Sequence, residues 1–123
     1  MSATDLILHK KVEDLFYRVY PSFRNYPKAE KHSLCHQIKT HFIELLKLIS
    51  LANSVKSKRL TFLQEADGTL ENLTVLMRLS RNMKYISLGF FGLIDIALSE
   101  IKALLIGYLK SAIKPRSSQF SAT

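Results

Sequence analysis

The stretch from Leu70 to Lys110, LENLTVLMRLSRNMKYISLGFFGLIDIALSEIKALLIGYLK, carries apolar residues three and four apart on both sides of the short segment Lys84 to Ile86. Side chains at that spacing share one face of an α-helix. The stretch predicts two long helices that turn back on each other almost without a loop. Two such helices must bury their stripes against further elements. A chain of 123 residues has room for one domain, so the rest of the same chain has to supply them.

The remaining sequence does so. Leu8, Val12, Leu15, Phe16, Val19 and Tyr20 place a first helix from Thr4 to about Tyr20, and Pro21 ends or kinks it. Pro27 suits a first helical turn, so a second helix is expected from Lys28 to Asn53, about 39 Å long at 1.5 Å per residue. Its stripe is Leu34, Ile38, His41 or Phe42, Leu45, Leu48, Ile49 and Ala52. After the short polar segment Ser54 to Lys58 a third helix buries Leu63, Ala66, Leu70, Leu73, Met77 and Ser80. It passes through Asp67-Gly68, because the apolar phase holds across that pair and an interior glycine costs only about 1 kcal/mol. Ser87 can cap a fourth helix reaching about Ala112. No segment alternates with period two. The expected architecture is all-α, an antiparallel up-down-up-down four-helix bundle over residues 1–113, with a disordered polar tail, KPRSSQFSAT, over 114–123.

The fourth helix has more apolar surface than one stripe requires. Phe91, Ile94, Leu98, Ile101, Leu105 and Leu109 lie on one face, and Phe90, Leu93, Ala97, Leu104 and Tyr108 lie beside them. Leaving several such side chains in water forgoes roughly 1.5–3 kcal/mol each. Self-association is therefore favoured over a merely wide core, with Phe90, Phe91, Leu93, Leu104 and Tyr108 as the expected interface.

Eighteen Lys and Arg against ten Asp and Glu give a formal charge of +8, which attracts polyanions. Arg78, Arg81 and Lys84 recur every three residues along one side of helix three, with Lys56, Lys58 and Arg59 at its other end. Lys28, Lys31 and Lys39 add to them from helix two. Rows of this kind meet phosphates without touching base edges, so the binding expected is salt-sensitive and sequence-tolerant.

Other chemistries find little footing. His32, Cys35, His36 and His41 cluster in sequence, but Cys35 points about 100° away from His36 on a helix and Lys31 and Lys39 would repel a cation, so no metal site is expected. The carboxylates are thinly spread. Asp95 and Glu100 stand out on the apolar helix, where ion pairs to Arg78 or Arg81 are the expected role, and neither an enzyme nor a cofactor is expected. Leu6 to Leu8 is too short for a signal peptide core, the lone Cys35 makes no internal disulfide, and charges interrupt every apolar run. A cytoplasmic protein away from the membrane is the expectation.

Tyr26-Pro27-Lys28, then Leu34, Ile38, Glu44-Leu45-Leu46, Ile49 and Ala52-Asn53, resembles helix two of the accessory variability determinant family, the bundle proteins of diversity-generating retroelements. The resemblance continues through Leu76-Met77-Arg78-Leu79-Ser80, Leu88, Glu100-Ile101 and Leu105-Ile106-Gly107-Tyr108-Leu109-Lys110. It implies a ring-like homopentamer, no catalysis, and binding to a reverse transcriptase and to template RNA or the RNA–DNA hybrid during mutagenic copying. It carries Lys28, Arg78 and Arg81 over more directly than Lys31, since Lys31-His32 and Phe90-Phe91-Gly92 depart from the pattern. The bundle family encoded in ribosomal RNA intervening sequences is the alternative, but its Ser-Asn-Ile-Ala-Glu-Gly-like segment is missing at Leu48 to Ser54. A helical adaptor that binds only protein is a further one.

Overall fold

The apolar stripes fold as four helices in the computed structural model, which describes the backbone of residues 3–122 and the side chains of residues 7–113. They are α1 (Ala3–Val19), α2 (Leu34–Ser54), α3 (Arg59–Asn82) and α4 (Leu88–Ala122), with no strand among the described residues. Each packs on its sequence neighbour and α4 closes against α1, which makes an antiparallel four-helix bundle. The expected polar tail at 114–123 lies outside the residues whose side chains are described. Among the described residues no helix is long and apolar enough to cross a membrane.

The α1 core positions are Leu8, Val12, Leu15 and Val19, while Tyr20 stays half exposed under the Lys39 ammonium at 5.3 Å. On α2 the structure decides between His41 and Phe42. His41 satisfies its own ring by bonding to the Gln37 carbonyl at 2.7 Å, and Phe42 goes fully inside, stacked on Phe16 at 4.8 Å. All six expected α3 residues are buried and the helix runs through Asp67-Gly68 unbroken.

The start of helix two differs from expectation. Lys28–Glu30 forms a separate 3-10 turn after Pro27, and α2 begins only at Leu34. Ser33, at φ −121° and ψ −87°, breaks the helical path. Its hydroxyl accepts from the Leu34 N–H and donates to Glu30 Oε1, both at 2.6 Å, so a residue unremarkable in the periodicity sets the boundary. The shortened α2 has 21 residues, about 32 Å rather than 39 Å.

Ion pairs fix the fourth helix to its neighbours. Lys102 on α4 reaches Glu71 at 2.8 Å and also Asp67, both on α3, and the two carboxylates, Asp67 first, raise its pKa. Glu100 pairs with Lys11 of α1 at 3.0 Å, not with Arg78 or Arg81 as expected, and Asp95 is exposed with no ionic partner among the described residues. The phase of α4 explains this. With Ile94, Leu98, Ile101, Leu105 and Tyr108 turned into the core, Glu100 falls on the α1 side.

Candidate nucleic-acid interface

Antiparallel packing sorts the charges by height. The end where α1 leads into α2 and α3 leads into α4, residues 15–35 and 78–92, holds seven Lys and Arg against one carboxylate, Glu30. This end is here termed the tip. The opposite end holds, among the described residues 50–59 and 105–113, Lys56, Lys58, Arg59 and Lys110 with no carboxylate. Between them lies a waist, residues 7–14, 36–49, 60–77 and 93–104, with five lysines against eight carboxylates, several tied up in pairs such as Lys10–Asp14 and Lys11–Glu100, both at 3.0 Å. The waist is net acidic, so the positive charge belongs to the two ends.

At the tip, Arg78 and Lys84 are exposed and have no carboxylate partner among the described residues, and the same holds for Lys28. Arg81 is more constrained: it donates to Asn82 Oδ1 at 2.9 and 3.1 Å and lies over the Phe91 ring at 4.6 Å. Lys31 donates to the Phe23 carbonyl, which closes the loop between α1 and α2. Lys39 sits over Tyr20, a turn below the tip. The sequence pattern passed over Arg18 and Arg24. Neither lies in a row, yet the fold sets both on an open groove with Tyr85, Ser87 and Phe90.

The α3–α4 connection positions this groove. Lys84 takes a left-handed φ of 64°. Its N–H donates to the Arg81 carbonyl and that of Tyr85 to the Ser80 carbonyl, both at 2.9 Å, which is the paired-bond pattern that ends many helices. Tyr85 is then held twice. Its hydroxyl donates to Glu30 Oε2 at 2.9 Å and its ring lies 5.2 Å from that of the buried Tyr26. The Ser33 and Tyr85 hydroxyls keep the Glu30 carboxyl below its usual pKa of 4.5, so it accepts these bonds at neutral pH. Burial pushes the Tyr26 phenol up.

At the far end Lys56 and Lys58 are exposed, but Arg59 has a structural task. Its Nε donates to the Ala52 carbonyl at 2.8 Å and its guanidinium covers the Tyr108 ring at 5.6 Å. Tyr108 in turn donates to Asn53 Oδ1 at 2.6 Å.

The expected interface residues on α4 are spread across its faces. Tyr108 is buried; Phe90, Phe91 and Leu104 are partly buried against their own core; Leu93 is mostly exposed. The outward apolar side chains are Leu88 (78% exposed), Leu93, Ile96 (61%) and Ile106. Cys35 is buried, and burial raises its pKa, while His32 and His36 remain exposed. Among the described residues no three His, Cys, Asp or Glu side chains converge as metal ligands would.

A small helical bundle whose distinguishing chemistry is surface charge at its two ends is the class that these observations define. Residues 6–112 match the family described as bAvd-like, and the chain belongs to that family, the accessory variability determinant-like proteins of diversity-generating retroelements. No curated protein and no solved structure matches the chain significantly.

Proposed function

We propose that this chain is a non-catalytic accessory protein of a retroelement reverse transcriptase. It holds template RNA or the RNA–DNA hybrid on its cationic ends, docks the polymerase, and assembles with copies of itself into a homopentameric ring. The observation that carries the reading is the family match over 107 of 123 residues. The charge sorting supports it, because phosphates are drawn to the exposed Arg78, Lys84, Lys28, Lys56 and Lys58 and away from the waist. Arg81 and Lys39 contribute from their places over aromatic rings, and Lys31 and Arg59 act by holding loops in place.

Assembly draws on the outward face of α4. Leu88, Leu93, Ile96 and Ile106 flank Gly92 and Ala103, where little side chain stands in the way of a neighbouring helix. Phe91 and Leu104 add the parts of their side chains left uncovered by the core, and Tyr108 supports the face from inside.

Replacing Arg78, Arg81 and Lys84 by Ala is expected to flatten the slope of log K for RNA against log salt by about one unit per lost phosphate contact, with the bundle still folded. An unchanged slope removes these residues from the site. The apolar α4 face also fits an adaptor that binds only protein; polymerase binding without RNA affinity at low salt would favour that second reading.

A further inference from the structure

We infer that the tip holds a seat for an unpaired nucleotide of a single strand, in the groove between the end of α1, the turn that follows it and the start of α4. The inference rests on the nucleic-acid reading above and adds the form of the ligand. Arg18 and Arg24 supply the cations. Arg24 spends only its Nε, on the Pro21 carbonyl at 3.1 Å, and Arg18 has no hydrogen-bond or ionic partner among the described residues. No carboxylate lines this groove. The neighbouring groove along α1 and α4 differs: there Lys11 pairs with Glu100 and Asp14 stands beside them, while Arg18 borders both grooves and is paired in neither among the described residues.

The same groove offers aromatic surface. Tyr85 and Phe90 line it, each partly exposed. Tyr85 is already fixed by the Glu30 carboxylate and by the Tyr26 ring, so little side-chain freedom remains to be lost when a base lies on it. Guanidinium groups and aromatic rings sharing one groove suit a phosphate joined to a splayed base. In a duplex the base faces are already stacked on one another, and rings recessed in a groove cannot reach them. Ser87 and Asn25 at the rim can bond to the sugar or the base edge.

The test is fluorescence anisotropy with a labelled oligouridylate of roughly 12 nucleotides, a single-stranded DNA of that length, and an RNA duplex of that length, in about 50 mM salt. Arg18→Ala with Arg24→Ala should weaken single-strand binding about 10-fold or more and duplex binding less than about 2-fold. Phe90→Leu keeps apolar bulk against the core. It should weaken single-strand binding about 5- to 100-fold without changing the salt slope, since it removes stacking and no charge. Circular dichroism confirms that both variants fold. Loss on the RNA strand assigns the seat to template, and loss on the DNA strand assigns it to the copied product. Equal losses on duplex and single strands, or no loss in either variant, overturn the seat while leaving the proposed function standing. If the unaltered protein binds none of the three probes, both fall.

Discussion

Lys84 occupies a backbone conformation that costs an L-residue roughly 1–2 kcal/mol and that glycine adopts freely. It stands where helices most often place glycine, one residue past the last turn. Lys84→Gly should therefore stabilise the fold by about 0.5–1 kcal/mol, after allowing for the greater freedom of glycine in the unfolded chain, and raise the urea midpoint accordingly. A lower midpoint would mean that the lysine side chain makes a compensating contact. The segment Arg81-Asn82-Met83-Lys84-Tyr85 contains no glycine, so the sequence places a connection at Lys84 to Ile86 without marking its left-handed residue. The hydrogen bonds from Lys84 and Tyr85 back to Arg81 and Ser80 identify it.

Among the elements, the α2–α3 turn depends on one side chain. Arg59 donates to the last carbonyls of α2 and covers Tyr108, which joins three helices at one end. Arg59→Ala is expected to cost about 1–2 kcal/mol in chemical denaturation, since it leaves a carbonyl and the Tyr108 ring uncovered. Arg59→Lys should restore only part, as an ammonium cannot cover the ring while forking to two acceptors. The helices themselves were legible from spacing because burial enforces period 3.6; α3 followed the pattern at all six positions. The beginning of α2 was not, because Ser33 and Glu30 settle it through local bonds that periodicity does not register. The basic row on α3 was visible as a row. Arg18 and Arg24 were not, since only the fold brings the end of α1 beside the start of α4. Which apolar side chains of α4 turn outward was not legible, because apolar character alone does not reveal which edge of a wide stripe faces inward; the fold turns Leu88, Ile96 and Ile106 out and packs Phe90, Phe91 and Leu104 partly on the core.

For the whole molecule, the exposed apolar face of α4 makes assembly the property most open to test. Ile96→Glu places a charge at a position exposed in the single chain, so it should leave the bundle folded while light scattering shows a shift toward 14.1 kDa particles. An unchanged particle mass would move the interface elsewhere. The like sign of the two ends has its own consequence. A neighbour standing alongside, upright or inverted, brings cation against cation at both extremities. Screening by salt should therefore tighten the union of subunits while it loosens their hold on RNA, and a bound strand should act as the counterion that draws the copies together.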